Sequence, residues 1–557
     1  MDKKYIGVTI GPIIKTLNNS KKTGQLWGGS YIFSYLMKNI ISMVKDKGLA
    51  KNIILPYAEK DEVFNEKLGV GRLPDRFIFE AEDNAFEDMG KVVEGVLNNL
   101  AEEISEEISK DKEKVKTFLD EYIQIYYLEK ELEDSSNPIL ELSPHLDILE
   151  LNEKVVAKEE ENYLMEFLKN KTVKKSFLVK DAFKKNEVKT LNFKKDKETG
   201  ELKAYNKSEM NIKSIPEIAV SGTELDEEDI AKVAYKAQKE DKDFYKVLKR
   251  EYPKIKLNKY HKYIAIVQAD GDNIGKVIKN IDKLYGDEDL NQMSQYEFFS
   301  KKLFDYAKDA VKIIKSYGGF PIYAGGDDLL FFAPIVGKKS NIFEMLDSIS
   351  DEFNSKFQVE IQSDTLKKKP SLSFGLSISY YKYPLYEALN SALGLLFGEA
   401  KSFKSKDKGK DAIAFKVLKH SGQYYGATVG KSSDSYDKFK KLLKKNINDN
   451  NFLSSLQYRI QEDKVLISEA LNREGGNLTA YFDNNFDEDA HEEAGEFLEG
   501  VKELIEVTYE EVITNEDNNK SKQDGDEKKK IDTTFIDIVH SYLRFIKFLN
   551  VEEGENA

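Results

Sequence analysis

Residues 260–275 read YHKYIAIVQADGDNIG and residues 318–334 read GGFPIYAGGDDLLFFAP, and these two stretches decide the fold. In the first, YIAIVQA is β-branched and apolar with one polar interruption, the composition of a buried strand. It ends in Asp270-Gly271-Asp272. If the strand continues, two carboxylates one residue apart point to the same side. If the chain turns at Gly271, Asp270 faces the sheet end and Asp272 caps the next helix. In the second stretch two apolar strands flank Gly325-Gly326-Asp327-Asp328. A tight hairpin needs positive φ, which glycine tolerates, so the acids sit at a hairpin tip. Between the two stretches, QYEFFSKKLFDYAKDAVKIIKSYG (295–318) reads as a helix. A strand–helix–hairpin unit lays the hairpin beside the first strand and brings Asp327 and Asp328 to Asp270.

Three acids placed together repel one another and raise each other's pKa. A divalent cation resolves the repulsion, and hard oxygen donors suit Mg²⁺ or Mn²⁺. Two such ions, one at an attacking hydroxyl and one at a triphosphate, form a phosphoryl-transfer clamp. Gly271, Asp272, Asn273, Gly325 and Gly326 complete the expected nucleotide cradle. The competing reading is an exposed acidic turn, since Gly-Asp pairs are common in loops. An Asp-Gly-Asp at the end of an apolar strand upstream weighs against it.

Working outward, SLSFG (371–375) opens another strand, with Ser373 and Gly375 on one face. Their small side chains would let a nucleotide approach the sheet. The helix that follows carries Leu385, Ala388, Leu389, Ala392, Leu393 and Leu396 at helical spacing. Lys401 ends it and Lys410 precedes the strand AIAF, where lysines could neutralise triphosphate charge.

The amino-terminal part repeats the pattern without the acids. A strand at Tyr5–Ile10, a helix over GQLWGGSYIFSYLMKNIISMV, strands NIILPY and DRFIFEA, and long acidic helices predict an antiparallel sheet backed by helices. Next comes a charged, helical stretch with one hairpin at LNFKKDKETGELKAYN, turned at Glu198-Thr199-Gly200. The carboxy-terminal part reads as a helical bundle, with Phe535, Ile538, Val539, Tyr542, Leu543, Phe545 and Ile546 on one face. Residues 514–530 are expected to be a disordered loop.

Composition narrows the chemistry. The 557 residues contain no cysteine, which excludes disulfides, thiol catalysis and cysteine-ligated metals. The five histidines are scattered and none is followed by aspartate, so a histidine-based metal site is not expected. No apolar run is long enough for a membrane span, and a cytoplasmic location is expected. A net charge of −14 argues against a nucleic-acid-coated protein but leaves room for a local basic surface. Residues 241–262, DKDFYKVLKREYPKIKLNKYHK, are one basic, aromatic-interleaved stretch. It reads first as a solvated helix end and linker.

DGDNIG, YAGGDDLLFF and AKSFKSKDKGKDAIAF followed by KHSGQ resemble the large polymerase/cyclase subunit of type III CRISPR effector complexes, closest to the III-B branch. TIGPI, LWGGSYIFSYLM and LPDRF resemble that family's amino-terminal palm-like domain. The resemblance implies an α+β chain with two ferredoxin-like, nucleotide-cyclase-like palm domains, a helical connector and a carboxy-terminal helical bundle. The expected division is an inactive palm at 1–135, a connector at 136–255, the catalytic palm at 256–422 and the bundle at 423–557. It further implies ATP as substrate, Mg²⁺ or Mn²⁺ held by Asp270, Asp327 and Asp328, and conversion of ATP to cyclic oligoadenylate second messengers in antiviral defence. The implied partners are other subunits of the complex, guide RNA and target RNA. Transfer of AMP to another acceptor such as S-adenosylmethionine is an alternative, and so is a non-catalytic scaffold. The histidine–aspartate nuclease and zinc ribbon of other members are not carried over. A diguanylate or adenylate cyclase shares the Gly-Gly-acid-acid hairpin, but the duplicated palm and terminal bundle weigh against it.

Overall fold

Two copies of one strand–helix–strand–strand–helix–strand order organise the chain. The computed structural model describes residues 2–58, 66–152, 161–169, 173–184, 190–195, 202–207, 210–285, 293–404, 409–445, 450–472, 477–486, 495–520 and 533–552. The first copy runs β1 (Lys3–Gly11), helix Thr23–Asp46, β2 (Ala50–Leu55), β3 (Arg76–Ala81), helix Ala85–Ile108 and β4 (Gln124–Leu132). Its sheet has the order β2-β3-β1-β4 and is antiparallel throughout. A separate hairpin pairs β5 (Thr190–Lys195) with β6 (Leu202–Lys207). The predicted turn of that hairpin, Glu198 to Gly200, lies outside the described residues.

The second copy runs β7 (Tyr263–Asp272), helix Gln295–Tyr317, β8 (Phe320–Gly325), β9 (Asp328–Ala333), helix Ile342–Lys356 and β10 (Ser371–Tyr380). Helix Leu385–Gly394 crosses to β11 (Ala412–Leu418), which lies parallel to β10, and β12 (Tyr424–Gly430) closes the edge. The order is β12-β11-β10-β7-β9-β8. With its last two strands set aside, this sheet has the same order as the first, the split β-α-β topology of ferredoxin-like units. The molecule is α+β, as its pattern predicts.

Alternation along β7 shows how the two copies are joined. Ile264 and Ile266 face one cluster with Ile6, Val8 and Trp27 of the first copy. Ala265, Val267 and Ala269 face the other cluster, with Phe299, Phe343 and Phe353 from the covering helices. A strand paired on both sides and covered on both faces must be apolar nearly throughout, and that is why YIAIVQA carries so little alternation. Burying each such Phe or Ile contributes about 1.5–3 kcal/mol, so separating the two sheets would be costly.

Four details differ from expectation. β4, QIYYLEKEL, went unforeseen because charged residues interrupt it and most of its positions are only half-buried. The second sheet continues through β12, past residue 423 where the bundle was expected to begin. The first half of the expected connector belongs to the first copy: helix Pro138–Glu150 lies on β1 and β4, while Tyr163, Phe167 and Phe177 enter its core. Residues 514–520, expected as loop, continue helix Gly495–Lys520, and the rest of that run lies outside the described residues. Among the described residues no helix is long and apolar enough to cross a membrane.

Candidate active site

β7 continues through Asp272, so Asp270 and Asp272 fall on one side of the strand, and both meet Lys401. Its Nζ stands 2.7 Å from Asp270 Oδ2 and 2.9 Å from Asp272 Oδ1. The same ammonium donates to the carbonyl oxygens of Asp270 (2.8 Å) and Gly271 (2.6 Å). Asp272 is fully buried; its Oδ2 accepts from the hydroxyls of Ser373 (2.6 Å) and Ser371 (2.9 Å) and from the Asp411 N–H (3.0 Å). Burial disfavours its charge, but Lys401 and the Ser373 hydroxyl outweigh that and hold the carboxyl below its ordinary value. Asp272 therefore does not cap the following helix. It is the buried anchor of Lys401.

The β8–β9 hairpin turns at Gly326, whose φ is +65°. β9 pairs with β7 up to Leu329 opposite Ala269, so one step further Asp328 stands across from Asp270. Asp327 lies over Gly271, where a Cβ would run into its carboxylate. Burial, then Asp270, pushes the Asp327 carboxyl up to about 6. Burial also pushes the Asp328 carboxyl well above its ordinary value, with Asp327, Asp270 and Asp75 adding to it. Asp75 comes from the first copy, just ahead of β3.

This arrangement corrects several expectations. Asp270, Asp327 and Asp328 do converge, but Asp270 is ion-paired to Lys401. Among the described residues no three acidic or imidazole groups meet as a ready-made metal cluster. Lys401 is 11% exposed and committed to the two aspartates, so it is not a free partner for triphosphate. Ser373 is spent on Asp272, and a Cβ on Gly375 would collide with the Ala392 carbonyl and Leu396. These small residues admit a helix, not a nucleotide. Gly325 is likewise required by close approach, to the Tyr323 hydroxyl and the Arg72 carbonyl. Asn273, at φ +60°, turns the chain out of β7, and its Nδ2 donates to the Lys369 carbonyl at 2.9 Å.

Two cavities flank the acids. One of about 580 Å³ is lined by Asn354, Gln358, Lys367, Lys368, Ser371 and Asp411, and so abuts Asp272. Lys410 is near it: together with burial, Lys368 and Lys410 hold Lys276 below its ordinary value, which places the three ammonium groups near one another. The other cavity, of about 280 Å³, lies at the matching end of the first sheet and is lined by Thr9, Gly11, Pro12, Asp75, Gln124 and Glu150. Asp75, Lys276 and Lys368 were missed by sequence reasoning. Asp75 was findable by superposing the two copies, because it precedes β3 as Asp327 precedes β9.

The donor set can be tested for a cation. Asp327 and Asp328 are two carboxylates pushed toward protonation by burial and by neighbouring acids, Asp270 for both, beside a third held by one lysine. A divalent ion would relieve that repulsion, so the donors fit one. The first sheet does not fit: at the corresponding register Thr9 faces Arg76, whose guanidinium is paired with Asp147 (2.5 Å) and Glu150 (2.8 Å).

Comparison with known proteins agrees with this geometry. Residues 263–414 match the family described as Cas10/Cmr2, second palm domain, and residues 5–116 match that described as CRISPR-associated protein Cmr2, N-terminal. The CRISPR system Cmr subunit Cmr2 of Pyrococcus furiosus is 32% identical over 187 residues, covering 30% of this chain and 20% of that protein. The match thus spans about a fifth of that relative's length. Among solved structures, a type III-B Cmr-beta complex in its apo state aligns with a TM-score of 0.51 at 12% identity, over 88% of this chain and 77% of that one. A Csm1–Csm4 cassette in complex with cA4 aligns at 0.50 and 11% identity, over 99% and 70%. At such identities the likeness is one of fold.

Proposed function

We propose that this chain, whose residues 263–414 and 5–116 match the Cas10/Cmr2 second-palm and Cmr2 N-terminal families, is a large subunit of that type and a metal-dependent nucleotidyltransferase that converts ATP to oligoadenylate, cyclic in its final form. The single observation that carries the reading is the meeting of Asp270, Asp327 and Asp328 at one sheet end, where burial and neighbouring carboxylates raise the Asp327 and Asp328 carboxyls. Mg²⁺ or Mn²⁺ at these oxygens would polarise the α-phosphate and activate a ribose hydroxyl. The chain's own residues do the positioning. Lys401, fixed by Asp272, holds the strand end that carries Asp270. Lys276, Lys368 and Lys410 supply charge for a triphosphate beside the larger cavity. The smaller cavity, reached through Asp75, is suited to the acceptor nucleoside, which makes the first palm a binding partner without chemistry of its own. In this reading the chain works in the cytoplasm, with partner subunits, a guide RNA and a target RNA that switches the site on.

Transfer of AMP to S-adenosylmethionine uses the same acids and a different acceptor. One experiment separates the two. The chain, assembled with its partner subunits, guide and matching target RNA, is given Mg²⁺ or Mn²⁺ with ATP alone, or with ATP and S-adenosylmethionine, and products are identified by mass. Oligoadenylates from ATP alone are expected. An adenylyl conjugate formed only with S-adenosylmethionine would overturn the polymerising reading while keeping the site, and no product in either mixture would leave a scaffold.

A further inference from the structure

Away from the acids, a group of cations collects where the second sheet meets the terminal helix Thr534–Asn550. Lys419 directly follows β11, Arg544 and Lys547 lie one turn apart on that helix, and Lys259 begins the short turn before β7. The backbone fixes their proximity: the Lys259 N–H donates to the Val551 carbonyl (2.9 Å) and Asn258 Nδ2 to the Leu549 carbonyl (3.0 Å). The Tyr425 hydroxyl donates to the Arg544 carbonyl at 3.4 Å.

These side chains are half-buried and held in place. The Arg544 guanidinium lies 4.4 Å from the centre of the Tyr425 ring, and Lys547 donates to Ser454 Oγ at 2.7 Å. Among the described residues, no carboxylate comes within ion-pair distance of Lys259, Lys419, Arg544 or Lys547. Elsewhere many lysines are paired, as Lys302 is with Glu360 and Lys440 with Asp347. Two acids belong to the same elements: Asp537, which acts on His540, and Glu552, whose backbone bridges Asn258. The repulsion is real enough to be felt: burial, then Arg544, Lys259 and Lys547, pushes Lys419 down to about 8. Burial and the neighbouring cations lower Lys547 as well.

A chain of net charge −14 that gathers four cations without counter-ions has left room for an external anion. We propose that this surface binds the phosphodiester backbone of a single-stranded nucleic acid. A run of phosphates supplies several negative charges at regular spacing, and a guanidinium pre-ordered on an aromatic ring presents a fork suited to them. Lys259 lies at the end of the basic stretch 241–262 and is the residue of that stretch that belongs to this surface. The inference does not depend on nucleotidyl transfer, because binding is read without ATP.

The test is fluorescence anisotropy of the full chain with a labelled RNA strand of about 20 nucleotides, the same sequence as DNA, and polyglutamate as competitor, over a salt series. The variant K259Q/K419Q/R544Q/K547Q is compared with a control of equal charge change, K51Q/K91Q/K112Q/K301Q, on exposed lysines. The first should bind at least about tenfold more weakly, and its log–log salt slope should fall by about 0.7 per cation removed; the control should be unchanged. Loss for both RNA and DNA, or a larger loss for RNA, supports the proposal. Unchanged binding, an equal fall in the control, or polyglutamate competing as well as RNA would overturn it. If circular dichroism shows the fourfold variant unfolded, the single changes K259Q and K419Q must each lower the slope, and a flat response in both overturns it.

Discussion

Asp272 follows Gly271 in the chain and Asp327 lies over that glycine, yet the protein treats their charges in opposite ways. Asp272 has a lysine, two hydroxyls and an N–H; Asp327 has burial and Asp270 against it, and its carboxyl is pushed up to about 6. A carboxyl raised in the folded state binds its proton more tightly there than when unfolded. Its charge therefore costs stability above about pH 6, and the cost fades as pH falls toward the ordinary carboxylate value. Asp327→Asn is expected to raise stability by about 2 kcal/mol at pH 7.5 and to change it little at pH 4, read by denaturant melts at both. Lys401→Met should do the reverse of stabilise, by about 3 kcal/mol or more, because it strands the buried Asp272. Adding Asp272→Asn should recover much of that loss; no recovery would mean Lys401 acts by packing alone. Of this site the acids were legible from Asp-Gly-Asp and Gly-Gly-Asp-Asp, since few folds place such turns beside apolar strands. The role of Lys401 was not, because one lysine before a lysine-rich loop looks like its solvated neighbours. Only the β7 register reveals that two carboxylates face it.

At the scale of elements, the glycines of the second sheet report close approach more than turning. Gly375 lets helix Leu385–Gly394 and the turn after it press onto β10. Gly375→Ala should lower the melting temperature, with a cost of about 2 kcal/mol or more from overpacking. Gly271→Ala should instead displace the Asp327 carboxylate and weaken Mn²⁺ binding with a smaller effect on melting; equal effects on both would remove the distinction. Strands β1, β2, β3, β7, β8, β9 and β10 were legible because each is buried enough to be apolar. β4 and β12 were not: one mixes charge into a half-buried face, and the other reads YYGATVG beyond a glycine turn. Strand pairing between distant segments supplies what local pattern lacks.

Across the whole molecule, two copies of one topology share a core, and they have diverged at equivalent positions. Thr9 faces Arg76 in the first where Asp270 stands across from Asp328 in the second. On the proposed reading, that exchange of a carboxylate for a guanidinium suits one sheet end to a cation and leaves the other a cavity lined in part by Asp75, whose charge acts on Asp328. The proposal makes the acids at the β8–β9 tip the centre of the chemistry. The most direct measurement is pyrophosphate release from ATP by the chain assembled with its partner subunits, guide and target RNA, with and without Mg²⁺ or Mn²⁺. The unaltered protein is compared with Asp327→Ala/Asp328→Ala, matched for assembly and melting temperature. Release that requires the metal and falls at least about a hundredfold in the variant is the predicted result. Release that continues undiminished in the variant would contradict the account.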